Sequence, residues 1–175
     1  MPTREISIKE RKGELRNLPI FQKKKPVFKG LKLLYNNSHH NAVTLSLNEL
    51  ESFATVKLTD DFKCVEGWVV NGVCWEGIPI SSIIGKMKLP PKVRWLLFGS
   101  GNFTCQISRS RAMKETTLLA TRMNGRKMTP SRGGPLRLVF KGQNCYESIK
   151  TVDRILALER PRKTTAKGIA MSRIV

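Results

Sequence analysis

Residues 62–80 read Phe62-Lys63-Cys64-Val65-Glu66-Gly67-Trp68-Val69-Val70-Asn71-Gly72-Val73-Cys74-Trp75-Glu76-Gly77-Ile78-Pro79-Ile80. Short runs rich in β-branched and aromatic residues alternate with turn residues, which is the pattern of strands rather than of an amphipathic helix. Residues 62–65, 68–70 and 73–75 are predicted strands. Asn71-Gly72 is the strongest two-residue hairpin signal in the chain, because both residues tolerate positive φ. Cys64 stands out within this stretch. Followed at once by a Gly-Trp pair and then by a second Trp-x-Gly, it can be a soft-metal ligand, a nucleophile or a packed core thiol. Its immediate neighbours alone favour the packed thiol.

Working outward, the same rhythm continues. Residues 29–35 and 43–47 read as strands separated by the turn signal Asn36-Asn37-Ser38. Ser46, three residues before Glu49, has the spacing of a capping box and predicts a short helix over 48–53. Residues 55–58 read as a strand, with Asp60-Asp61 as a turn. A short helix is expected over 79–87, broken by Pro90-Pro91, followed by a buried strand over 93–98. Gly99-Ser100-Gly101-Asn102 reads as a loop, 103–107 as extended, 109–117 as a short helix or loop, and 117–123 as a strand or helix edge. Asn124-Gly125 marks a turn, and 136–140 and 155–158 complete the strands. Many short strands, few helices and frequent Gly/Pro turns imply an α+β, mainly β single domain rather than a doubly wound parallel sheet. Neither a G-x-G-x-x-G after a strand nor a G-x-x-x-x-G-K-[ST] occurs, which disfavours nucleotide folds of those types.

The charge is the second strong feature: 32 Lys and Arg against 13 acids give +19 in 175 residues. It is uneven. Residues 1–32 carry +7, 33–85 carry −4, 86–141 carry +12 and 142–175 carry +4. Such excess suits an anionic partner: nucleic acid, a membrane surface, or a phosphorylated cofactor and oxyanion substrate. The organisation expected is a basic N-terminal arm over 1–28, a domain over 29–160 and a basic, mobile C-terminal tail over 161–175. The apolar runs are strand-length, so no membrane span is expected. Without a visible secretory signal, the expected location is cytoplasmic. The four cysteines, Cys64, Cys74, Cys105 and Cys145, show no zinc-ligand spacing, and the last three are expected to be reduced, packed thiols.

Four segments in order resemble the molybdopterin-binding oxidoreductase domain of the sulfite oxidase family, in its short, stand-alone, haem-free form. They are Cys64-Val65-Glu66-Gly67-Trp68; Trp75-Glu76-Gly77-Ile78-Pro79-Ile80; Leu118-Leu119-Ala120-Thr121-Arg122-Met123-Asn124-Gly125; and Gly133-Gly134-Pro135-Leu136-Arg137-Leu138-Val139 with Ser148-Ile149-Lys150 after it. The resemblance covers roughly residues 30–160. It implies a mixed α+β fold holding one molybdopterin, a pyranopterin dithiolene with molybdenum, and by position it makes Cys64 the protein's sulfur ligand. A thiolate is a soft donor suited to such a metal. By the same resemblance Phe103, Arg132, Gly133, Arg137, Ser148, Ile149 and Lys150 lie around the cofactor, with Gly133 and Gly134 allowing close backbone approach. Arg132 is the candidate catalytic partner of Cys64, and Arg109 a further candidate for holding an oxyanion.

The chain also departs from the family pattern. Phe103 stands where many members carry Tyr and cannot donate a hydrogen bond. Arg132 stands where His is frequent and adds a permanent charge. Cys145 and Glu147 stand where Gly and Lys are frequent, and Glu147 would oppose a phosphate if it pointed inward. The function implied is a molybdenum-cofactor-dependent oxidoreductase, transferring an oxygen atom to or from a small anionic substrate and served by an unknown electron-transfer partner. The alternative is a non-catalytic protein of the same fold that contacts an anionic partner such as nucleic acid. A cysteine-nucleophile hydrolase is disfavoured, because His39 and His40 fall in a different strand pair and no orienting group is indicated.

Overall fold

The computed structural model describes residues 13–14, 17–19, 27–36 and 38–174. Most of the arm expected over 1–28 therefore lies outside the described residues. Eleven strands form two sheets. The first has β1 (Gly13–Glu14), β5 (Trp68–Pro79), β8 (Leu118–Met123) and β10 (Arg137–Val139) in that order, with β4 (Val56–Lys63) on β5 and β9 (Arg126–Lys127) on β8. The second is ordered β3 (Ser38–Leu45), β2 (Leu31–Tyr35), β11 (Arg154–Leu158), β6 (Trp95–Ser100), β7 (Phe103–Ser108). Four short helices decorate them: α1 (Leu47–Glu51), α2 (Ile80–Ile84), α3 (Arg109–Ala112) and α4 (Ala166–Met171). This is the mixed, mainly β architecture expected. No helix among the described residues is long and apolar enough to cross a membrane.

The hairpin expected at Asn71-Gly72 is absent, and so is the turn at Asp60-Asp61. Instead β4 and β5 are two long strands joined by the turn Cys64-Val65-Glu66-Gly67. Register runs Asp60↔Val73 and then Phe62↔Val70, so Asp61 alone faces the pair Asn71-Gly72. This is a β-bulge: Gly72 takes φ +60, and its N–H donates to Asp61 Oδ1 at 2.9 Å. The reason is burial. An inserted residue reverses the alternation of side chains. Trp68 and Val70 before it then face the same core as Val73 and Trp75 after it, and all four are buried. The positive-φ preference is real, but a bulge satisfies it and a turn would have split that apolar set.

Sheet one is buried on both faces. Leu119 and Leu138 belong to the larger core with Leu33, Ile83, Leu96 and Phe98. Leu118, Ala120 and Val139 belong to a smaller one with Leu58, Phe62, Trp68 and Trp75. The capping box appears as expected: Ser46 and Glu49 bond reciprocally at the start of α1. Asn124-Gly125 turns between β8 and β9, both residues at positive φ. The segment expected as a tail over 161–175 is docked instead. Thr165 N–H donates to Thr104 Oγ1, Thr104 N–H returns a bond to Thr165 Oγ1, and Ala166 enters the larger core.

Candidate cofactor site

The tight turn after β4 presents Cys64. Cys64 N–H donates to Trp68 O at 2.9 Å and Gly67 N–H to Cys64 O at 3.0 Å, with Gly67 at φ +92. Trp68 Nε1 donates to Glu66 Oε2 at 2.8 Å, which ties the turn's acid to the strand behind it. By strand alternation Cys64 lies on the face of Phe62, and it packs against the smaller core.

Alternation also explains Arg137. It sits two residues before Val139, so it projects onto the same inner face. Its guanidinium lies 5.2 Å from the ring centres of both Phe62 and Trp75, within cation–π range. Nε donates to Ser148 Oγ at 2.8 Å and Nη1 to Arg132 O at 2.9 Å. Burial lowers its pKa to about 10, with Arg132 adding like-charge repulsion. Arg132, at the end of a 3₁₀ turn over Pro130–Arg132, donates to Leu18 O, and burial lowers its pKa too. Lys150 Nζ reaches Ser131 O at 3.4 Å; burial first, then Arg137, Arg132 and Arg173, lower it to about 7. Three cations thus converge, Arg137 buried and Arg132 and Lys150 partly so, and a buried charge is costly unless an anion answers it. Among the described residues neither Arg132 nor Arg137 has a carboxylate partner.

The loop that carries them is built without side chains where it is tightest. A Cβ on Gly134 would stand 2.1 Å from Met128 O, and one on Gly133, at φ +100, would meet Lys150 Cγ at 2.8 Å and Arg137 Cδ at 3.0 Å. These glycines were expected to admit the cofactor; here they admit the chain's own backbone and the two cations. Thr151 latches the loop, its N–H donating to Gly133 O and its Oγ1 to Gly134 O.

Cys145, which sequence reasoning left among the inert thiols, lies beside Cys64: the sulfurs are 2.8 Å apart. It opens a 3₁₀ turn, Cys145–Glu147, and the two residues are 81 apart in sequence, so no local signal links them. Their shared proton is the largest influence on both thiols, ahead of burial: it pushes Cys64 up and Cys145 down to about 7. Glu147 does not oppose the cations. Its Oε2 accepts from Asn144 N–H at 2.6 Å and Nδ2 at 3.1 Å, capping its own turn.

Other candidates fare differently. Ser148 is buried and committed to Arg137. Ile149 is a core side chain whose N–H donates to Glu147 O and whose C=O accepts from Leu138 N–H. Phe103 is exposed at the start of β7, with Arg173 of the docked C-terminal segment 5.7 Å from its ring centre. Arg109 lies just past the opposite end of that strand, about 20 Å away at strand rise, and clamps Pro90 O and Val93 O. It does not join the Cys64 group. Two hollows, of about 340 and 230 Å³, are lined by residues around Glu159 and around Met87, away from Cys64. No three His, Cys, Asp or Glu side chains gather among the described residues.

Comparison with known proteins joins this geometry to a chemistry. The model of the oxidoreductase molybdopterin-binding domain matches residues 30–166. The chain belongs to that family. Its cofactor is accordingly molybdopterin with molybdenum, and the residues present suit it: a thiol on a turn for the metal, and the guanidiniums of Arg132 and Arg137, without a carboxylate partner among the described residues, for an anionic group. Among relatives, the uncharacterized oxidoreductase YuiH of Bacillus subtilis (strain 168) is 29% identical over 107 residues, covering 61% of this chain and 54% of its own. The protein-methionine-sulfoxide reductase catalytic subunit MsrP of Xanthomonas axonopodis pv. citri (strain 306) is 28% identical over 138 residues, covering 69% and 42%. The chain thus spans about half the length of such relatives or less. The crystal structure of the sulfane dehydrogenase SoxCD from Paracoccus pantotrophus shares the fold, with a TM-score of 0.68 at 17% identity over 84% of this chain and 42% of that one.

Proposed function

We propose that this domain is the cofactor-holding unit of an oxidoreductase that moves an oxygen atom on or off a small, anionic substrate, with Cys64 as the protein's sulfur ligand to the metal. The observation that carries the reading is that Cys64 adjoins Cys145, three residues before the Ser148 that holds buried Arg137, with the partly buried Arg132 and Lys150 close by. When bound, the cofactor supplies two-electron oxygen-atom transfer. The protein's part is electrostatic and geometric. Arg137, fixed between two aromatic rings and Ser148, offers a positive charge that needs no reorganisation. Arg132 and Lys150 extend that field towards the phosphate of the cofactor and an oxyanion. The turn 64–67 holds the Cys64 sulfur in place, and a bound metal would favour its thiolate form. The sulfoxide chemistry in the name of one relative agrees with an oxygen-bearing sulfur compound as the substrate class.

Molybdenum and pterin content decide the matter, measured on protein purified from a host that makes the cofactor. Near-stoichiometric loading is expected in the natural sequence and background loading in Cys64→Ser, with unchanged circular dichroism. Retention in Cys64→Ser but loss in Cys145→Ser would transfer the ligand role to Cys145. Absence of both metal and pterin from the natural sequence would sink the proposal. Salt-sensitive oligonucleotide binding by such a protein would favour the binding-protein alternative.

A further inference from the structure

We propose that Cys64 and Cys145 form a redox modification site, in which a two-electron oxidant closes an intramolecular disulfide that takes Cys64 away from the metal. The second half of this statement rests on the ligand role proposed above; the first half does not. The geometry is specific. The two sulfurs stand 2.8 Å apart, inside van der Waals contact and within about 0.8 Å of a disulfide bond length. Both thiols are free and only partly buried, so a small oxidant reaches them, whereas Cys105 is buried and has no second sulfur near it among the described residues.

Each partner is held by its own backbone. Cys64 is fixed by the bond from its N–H to Trp68 O, and Cys145 by the reciprocal caps between Asn144 and Glu147. Side-chain rotation, without rebuilding of either turn, brings the sulfurs together. Cys145 opens its turn three residues before Ser148, the partner of Arg137, so the thiol pair adjoins the cation cluster and whatever occupies its sulfurs bears on that site.

The chemistry balances with a peroxide. One thiol attacks the peroxide and becomes a sulfenic acid, releasing one water. The second thiol displaces the hydroxyl of the sulfenic acid, forming the S–S bond and releasing another water. The thiol pair loses two electrons and two protons, and hydrogen peroxide is reduced to two waters. A dithiol reductant reverses the step by thiol–disulfide exchange. A metal already bound to Cys64 blocks it, so the site is open in the cofactor-free chain and closed to oxidation in the loaded one.

The test uses the full chain in its cofactor-free form, treated with hydrogen peroxide, alkylated without reduction, digested and mapped by mass. Expected are a peptide pair joined through Cys64 and Cys145, a loss of two hydrogens from the intact mass, and return of both thiols after dithiothreitol. Both thiols remaining open to alkylation, or sulfinic acid at either without a linked pair, would overturn the proposal. The natural sequence answers this first question, so a variant that fails to fold does not obscure it. The second readout is molybdenum and pterin taken up by oxidised and by re-reduced protein. Uptake only after reduction supports the consequence for the metal. Equal uptake by the cross-linked form would leave the disulfide standing and refute the ligand role of Cys64.

Discussion

The two faces of the first sheet do different work. The face that meets the larger core buries Ile78, Leu119 and Leu138 among residues such as Leu33, Ile83, Leu96 and Phe98, a mainly aliphatic interior drawn from both sheets. The other face buries Trp68, Trp75 and Phe62 around a guanidinium and meets two thiols. One strand serves both: in β10, Leu138 faces the first and Arg137 and Val139 the second. Stability and chemistry are therefore separated by the thickness of a sheet. The aliphatic side supplies ordinary apolar burial, while the aromatic side holds a desolvated charge that an anionic cofactor would answer.

That contrast can be broken most strongly at Phe98. Phe98→Ala should cost about 3–5 kcal/mol in urea denaturation, because it opens a cavity in a close-packed region. A loss under about 1 kcal/mol would show that the larger core is not the stabilising one. Next comes Arg137→Met, which keeps an unbranched chain against the rings. Replacing a buried charge by an apolar group costs the fold little. Losing its charge-assisted bonds should weaken cofactor retention by about 1.5–3 kcal/mol, roughly tenfold to a hundredfold in released pterin. An Arg137→Met protein that retains cofactor but unfolds easily would reverse the assignment of the two faces.

Lys150 sharpens the comparison through pH. Its folded pKa of about 7 lies below its ordinary 10.5. The unfolded chain therefore takes up that proton while the folded one does not, and the stability of the cofactor-free protein should rise with pH from about 7 to 10.5 and level off below. The share from this residue is at most about 1.4 kcal/mol per pH unit, and Lys150→Met should remove it; identical pH profiles for the two proteins would refute it. The smallest effect is expected at α1, far from both questions. Ser46→Ala should cost about 1 kcal/mol in thermal melts through loss of the cap, with cofactor content unchanged.

Local chemistry made much of the molecule legible. The capping box, the positive-φ turn at Asn124-Gly125 and the apolar runs of β2, β6 and β11 announce themselves within a few residues. The ordered motifs from Cys64 to Lys150 carry the family's signature in the sequence alone. The errors have a common cause. Asn71-Gly72 became a bulge because four apolar side chains had to face one core. The segment over 161–175, expected as a mobile tail, is docked because Thr165 pairs with Thr104 and Ala166 enters the larger core. In each case a contact made far along the chain overrode a local preference.

By itself, then, the sequence determined the mainly β fold class, the family and the candidacy of Cys64, since each is written in short-range periodicity or in motifs whose order suffices. Only the tertiary structure decided that Cys64 touches Cys145, and that Arg137 stands against the adjoining rings of Phe62 and Trp75. Those contacts join residues up to 81 positions apart. They arise from strand register and side-chain alternation, which are settled when all the apolar faces of the two sheets are buried together.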